Sequence, residues 1–250
     1  MTDDEAATGS RSQTDVVIES IKDLLARGEL RPGSRLPIEK DLAAQLGVSR
    51  GSLREGVRAL ATLGVLETRQ GDGTYVTSLD PSRLLSPLGF LADLQQPAHA
   101  ADLLAVRRML ETESVALAAI RLTDDELAHL DGVLDGVDTI LQSEPDMDLE
   151  AFIDADTEFH RTIARASGNP ALAAIIDTLV GRTFRARLWR AISHRGSVRE
   201  TQAEHRAILD ELVRRDPARA RIRMSVHLLG VEEFSAAHAD EDPEAGQPTR

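Results

Sequence analysis

Four residues in the C-terminal half of the chain, Asp156, His160, His205 and His227, are of the types that hold divalent transition ions. Asp156 and His160 are four positions apart, which on a helix is one turn along the same face. His205 and His227 each lie 11 residues from Asp216. A helical pair hinged at that point brings both to one height, about 16 Å from the turn at 1.5 Å of rise per residue. Three imidazoles and a carboxylate suit Zn²⁺, Ni²⁺ or Mn²⁺ and leave positions for water or an oxygen ligand. The chain has no cysteine, so thiolate sites and disulfides are excluded. Taken singly, each His is more often a hydrogen-bonded core or surface side chain than a ligand.

A second set of chemical groups lies near the N-terminus. Arg50, Arg54 and Arg58 recur every four residues along one helical stripe. Three guanidiniums on one face form a fork-like donor array suited to phosphates and to guanine O6 and N7. A solvated Arg face on a small domain would look the same in isolation. What decides for DNA is the company the stripe keeps.

Upstream of it, the short helix 39–46 places Leu42, Ala43 and Leu46 on one face, and Gly47 supplies the positive φ of a sharp turn. Ser49 caps the next helix, which turns Leu53, Val57 and Leu60 inward. Gly64 ends it. Segments 65–68 and 74–77 read as two strands joined by a glycine-bearing hairpin whose backbone can lie against phosphates. Helix, turn, Arg-bearing helix and wing together make a winged helix-turn-helix over residues 13–78.

From residue 101 to 238 the pattern is helical almost throughout. Breaks at residues 123–124, 143–145, 168–170, 194–197 and 216–217 separate about six helices. Thr123 with Glu126 makes a capping box, and Asp124 and Asp125 sit where the helix dipole favours negative charge. The helix 148–166 carries Asp156 and His160. Residues 79–100, with three prolines, read as a linker containing a short helix around 83–94. Residues 1–12 and 239–250 are polar and charged and are expected to be disordered. The fold class is therefore mainly α, a winged domain followed by an all-helical antiparallel bundle.

Composition supports this division. At 250 residues the chain accommodates two domains of common size. Aromatic residues are only 3%, and small and γ-branched aliphatics supply the burial, which favours helix packing. The net charge of −13 is unevenly spread: residues 1–78 carry −2 and residues 79–250 carry −11. DNA affinity then rests on the local Arg stripe and on doubling of sites in a dimer, because attraction is screened beyond about 8–10 Å. No apolar run spans a membrane and the acidic N-terminus is unlike a signal peptide, so a cytoplasmic protein without membrane partners is expected.

The first domain resembles the GntR transcription regulators through RPGSRLP (31–37), DLAAQLGVSR (41–50), LREGVRAL (53–60) and QGDGTYV (70–76). The resemblance implies that Arg35, Arg50, Arg54 and Gly71 meet DNA, with Ser49, Ser52, Gln70 and Gly73 of the same motifs at the interface. Many such proteins have Ser or Thr after Leu-Pro; here Ile38 stands there, and a missing cap costs about 1 kcal/mol.

The second domain resembles the FCD effector domain of the FadR subgroup, through residues 102–119, 152–172, 204–220 and 227–229. That resemblance names Asp156, His160, His205 and His227 as ligands of one ion. It also implies a homodimer and a small organic acid bound at or beside the metal. Arg107 corresponds to an effector-facing Arg; an i,i+4 ion pair with Glu111 is the alternative. Asn169 is assigned to the effector pocket, with helix capping as its simpler role. Trp189 is expected in the core and His194 in a loop.

The function read from all this is a DNA-binding regulator of the repressing kind, whose affinity for an inverted-repeat operator is expected to respond to a small carboxylate. The rival is a metal-dependent hydrolase or isomerase tethered to DNA, since Asp/His₃ with open positions can activate water. It lacks a placed general base or nucleophile motif. A structural nucleoid-type binder leaves the second domain unexplained.

Overall fold

The computed structural model describes residues 12–87, 89, 100–143, 146–194 and 196–238. The expected disordered termini lie outside these, apart from Ser12, and so does half of the expected linker helix. The chain divides into two compact units, one up to residue 87 and one from residue 88.

In the first unit, Ser12 caps α1 (Gln13–Ala26) in a reciprocal capping box with Asp15. Helix α2 (Glu39–Leu46) starts at Ile38 with no side-chain cap and ends at Gly47, whose φ is 67°. Ser49 caps α3 (Arg50–Thr62) by accepting from the Ser52 amide. The strands β1 (Leu66–Arg69) and β2 (Gly73–Val76) form the antiparallel wing, pairing Leu66 with Val76 and Arg69 with Gly73. Both lie within a residue of the expected spans. Leu42, Leu53, Leu60, Leu66 and Val76 close the core with Val17 and Ile21 of α1. Gly56 lets α1 and α3 touch, for a Cβ there would lie 2.6 Å from Val17 Cγ1. Gly64, at φ 74°, admits the carbonyl of Arg83 at a distance where a Cβ would stand 2.7 Å away. That carbonyl belongs to the one-turn α4 (Pro81–Leu84), capped by Asp80.

Seven helices make up the described part of the second unit, one more than the spacing predicts: α5 (Ala100–Ala119), α6 (Asp124–Leu141), α7 (Leu149–Ala166), α8 (Pro170–Arg182), α9 (Phe184–Ser193), α10 (Ser197–Val213) and α11 (Pro217–Ala237). The additional break falls at Thr183, two residues after Gly181. Its hydroxyl bonds the Leu179 carbonyl, 3.0 Å away, and competes with continuation of the helix. The other breaks fall where Pro, Gly and capping residues put them. Thr123 and Glu126 form the expected capping box, and Asp216 caps α11. Val115, Leu130, Leu134, Phe159, Ile163, Ile208, Leu212 and Met224 fill one core.

Candidate DNA-reading face and metal centre

On the first unit, Arg50, Arg54 and Arg58 are all exposed along α3. Arg54 pairs with Glu39 of α2 at 2.8 Å. This exposed bridge orients the side chain more than it stabilises the fold. Arg35 reaches the wing: its guanidinium donates to the Asp72 carbonyl, and residues 33–36 pair with β2 through Gly33 N–H to Val76 and Leu36 N–H to Thr74 at 2.9 and 2.8 Å. Gly73 accommodates this, as a Cβ would come within 2.8 Å of Arg35 Nε. Gln70 and Gly71 are exposed at the wing tip, with Gly71 at φ 75°. Ser49 and Ser52 share a 2.9 Å hydroxyl contact at the start of α3. Gln13 completes this corner and was not picked out from the sequence. Its Oε1 accepts from Ser49 N–H at 3.0 Å and Ser52 Oγ at 3.1 Å, fixing the first turn of α3 against α1.

In the second unit, Asp156 and His160 of α7, His205 of α10 and His227 of α11 converge. All four are buried, and one ligand atom from each lies within 4.8 Å of all the others. His205 Nε2 is 3.2 Å from His227 Nε2, which is 3.3 Å from His160 Nε2. Asp156 Oδ1 is 3.5 Å from His205 Nε2 and 4.0 Å from His160 Nε2.

The donor chemistry fits a cation. His160 Nδ1 contacts the Glu111 carboxylate, and His227 Nδ1 lies 2.8 Å from Glu204 Oε2. A carboxylate only accepts, so both rings carry their proton on Nδ1 and turn bare Nε2 lone pairs inward. Lone pairs facing each other at such range repel, and an ion among them turns repulsion into coordination. Burial holds all three imidazoles below their ordinary range, His227 down to about 4, which keeps them neutral as ligation requires. Burial alone would raise Glu111, yet the Arg107 charge and the hydrogen bonds from His160 and Arg107 hold it down to about 2.

Around the cluster lie guanidiniums. Arg107 is fully buried, pairs with Glu111 and donates to Thr183 Oγ1 at 3.2 Å. The i,i+4 ion pair is therefore present, while Arg107 Nη2 has no partner among the described residues. Arg187 of α9 pairs with Asp156 Oδ2 and donates to Val180 O at 2.8 Å. Burial and the neighbouring Arg107 push the Arg187 guanidinium well below its ordinary pKa. Beside Asp156 a cavity opens between four helices. Its polar lining is Asp156, Arg187, Arg190, Ser197 and Thr201, and its apolar lining includes Phe152, Ile153 and Val231. Arg107 is not part of that lining. Asn169 is not brought to the cluster either. It is exposed and its carboxamide accepts from Leu172 N–H at 3.1 Å, capping α8. Trp189 is half-buried rather than fully in the core, and His194, exposed at the end of α9, stacks on Phe234.

A winged helix-turn-helix unit joined to a helical unit with an internal ionisable centre defines the class of bacterial transcription regulators that carry a separate effector-binding domain. Residues 13–76 match the bacterial regulatory proteins of the gntR family, and residues 102–230 match the FCD domain. The chain belongs to the GntR family, with a C-terminal FCD domain. It is 33% identical over 226 residues to the HTH-type transcriptional regulator YcbG of Bacillus subtilis, covering 90% of this chain and 91% of that one. It is 30% identical to the regulator LutR of the same species, over 88% and 99% of the two chains. To the HTH-type transcriptional repressor NanR of Cronobacter sakazakii it is 30% identical over 87% and 83%. Among solved structures, a Streptococcus agalactiae GntR protein superposes with a TM-score of 0.60 at 28% identity, over 89% of this chain and all of that one. These relatives and both families are transcription regulators, not enzymes. No helix among the described residues is long and apolar enough to cross a membrane.

Proposed function

We propose that this regulator binds an inverted-repeat operator as a homodimer and represses, and that a small carboxylate bound beside a divalent Zn²⁺, Ni²⁺ or Mn²⁺ changes its DNA affinity. The observation that carries this reading is the meeting of four buried donor atoms within 4.8 Å next to a cavity walled by Arg187 and Arg190. Asp156, His160, His205 and His227 hold the ion, which supplies a Lewis-acidic anchor for an oxygen ligand. Glu111 and Glu204 orient two of the imidazoles. Arg187 holds Asp156 by its second oxygen. On the DNA side, Arg35, Arg50 and Arg54 contact phosphates and base edges, with Ser49, Ser52, Gln70, Gly71 and Gly73 lining the approach.

The dimer surface in this reading is the outer side of α5 and α11. Val106, Met109, Ile222, Val226 and Leu229 are exposed there, spaced at helical intervals, and an exposed Arg221–Glu113 pair at 2.6 Å joins the two helices. A second copy is the fitting occupant, because a two-fold contact needs one patch bearing both signs of charge around an apolar centre.

The experiment is selection of an operator from random duplexes, followed by mobility shifts on metal-loaded protein with added carboxylates. Release of the operator from wild type, and no response in His205→Ala, is the expected pair of results. An operator complex equally insensitive to carboxylates with and without bound metal would sink the effector reading while leaving DNA binding intact.

A further inference from the structure

The cavity beside Asp156 carries more positive charge than a single carboxylate answers. Arg187 and Arg190 stand three residues apart on α9, hence on neighbouring positions of one helix face. Both are more than nine-tenths buried. Each has a buried Nε with no hydrogen-bond partner among the described residues, and a buried donor left unmade is costly unless something else satisfies it. Arg187 is neutralised by Asp156. Arg190 has no such direct partner: it donates to Thr201 Oγ1 at 3.0 Å, Glu200 stands 3.7 Å away with its side chain 56% exposed, and Glu204, whose charge also acts on Arg190, is engaged with His227 Nδ1. Buried guanidiniums at this end of the domain are therefore Arg107, Arg187 and Arg190, against the buried carboxylates Glu111 and Asp156. A divalent ion on the histidines adds to the positive side.

We propose that the effector has two anionic ends, a short dicarboxylate, with one end at the ion and Arg187 and the other held by Arg190 with the Thr201 and Ser197 hydroxyls. Phe152, Ile153 and Val231 line the same cavity, which at about 10 Å³ holds little more than a water as it stands, so seating the short carbon chain between the ends requires these side chains to move apart. The side chains at i and i+3 leave the helix roughly 5–6 Å apart, which suits carboxylates separated by a two- or three-carbon chain. This assignment rests on the reading that a carboxylate binds beside the metal, and it adds what the second guanidinium recognises.

The test uses full-length, metal-loaded protein and matched acids that share a 2-hydroxycarboxylate end. Malate is compared with 2-hydroxybutyrate, and 2-hydroxyglutarate with 2-hydroxyvalerate, by calorimetry and thermal shift. The expected result is a preference of at least about tenfold for one diacid over its monoacid partner. That preference is lost in Arg190→Gln at unchanged metal content; Arg190→Lys, which keeps the charge, restores part of it. Equal binding of diacids and monoacids by the wild type overturns the two-ended effector and leaves the carboxylate reading standing, whether or not the Arg190 variants fold. Failure of every acid to bind metal-loaded wild type overturns both.

Discussion

At the scale of single residues, the metal centre depends on tautomers. Glu111 and Glu204 each accept a hydrogen bond from the Nδ1–H of one imidazole, which leaves Nε2 as the proposed ligand atom. Glu111→Gln is expected to keep the fold and weaken metal binding by about 10–100-fold, the usual cost of losing such a partner, as read by competition with a chromogenic chelator. Unchanged affinity would mean that the carboxylate serves only Arg107. The same rings predict a pH dependence. Their folded-state values lie below the ordinary 6.5, His227 at about 4, so between those limits the unfolded chain binds more protons than the native one. Stability of the metal-free protein therefore falls as pH drops from 6.5 towards 4 and is fully present above that window. His227 alone contributes on the order of 3 kcal/mol. Denaturant melts at pH 7.5 and pH 4.5 check the sign, and equal midpoints would contradict it.

The convergence of Asp156, His160, His205 and His227 was legible from residue types and spacing, because helical periodicity and a Pro-marked hinge fix their heights. Arg187 and Arg190 were not. They sit among Arg182 and Arg185 in one short stretch, and which of four arginines points inward depends on the break at Thr183. At that break the Thr183 hydroxyl bonds its own helix, and Gly181, the only nearby marker, reads equally as a residue within a continuous helix. Asn169 shows the converse: its capping geometry was the simpler reading, and its carboxamide is occupied by it.

At the scale of elements, the recognition corner and the wing carry the predictions. Arg50→Ala or Arg54→Ala is expected to weaken operator binding by about 1–3 kcal/mol per half-site with an unchanged circular dichroism spectrum. Wild-type mobility shifts in both would remove α3 from the interface. Ile38 is 63% exposed at an uncapped N-cap with extended φ and ψ. Ile38→Ser should therefore raise stability by about 0.5–1 kcal/mol, measured as a shift of the denaturation midpoint. No gain, or a loss, would show that the exposed isoleucine is packed in a way this structure does not contain. The helix-turn-helix itself was readable because Gly47, Ser49 and Gly64 mark its joints. Gln13 escaped notice because its role is tertiary: a polar residue at a helix start says nothing about a serine 36 positions away.

For the whole molecule, the proposed pairing of two chains can be tested at the apolar stripe of α5 and α11. Met109→Glu with Val226→Glu is expected to give a monomer by analytical ultracentrifugation and to weaken operator binding by about 10²-fold or more, since the second half-site contact loses its effective concentration. A dimer of undiminished affinity would place the interface elsewhere. Charge distribution belongs to this scale too: the −11 of residues 79–250 was plain from the sequence, but not that so many of its carboxylates are tied up, as with Asp131, Asp135 and Asp138 around Arg206.

The cavity wall that includes Asp156 has a kinetic meaning as well. All four proposed ligand side chains are at most 4% exposed, so an ion held by them would exchange with solvent only when the protein opens a path, and Asp156 is the one of them that lines the cavity. An acid seated against Arg187 and Arg190 closes that side. The lifetime of the ion should then lengthen with effector concentration, and the stripping rate in excess chelator becomes a stopwatch for occupancy that requires no DNA. A rate indifferent to a saturating acid would mean that the ion leaves by another door.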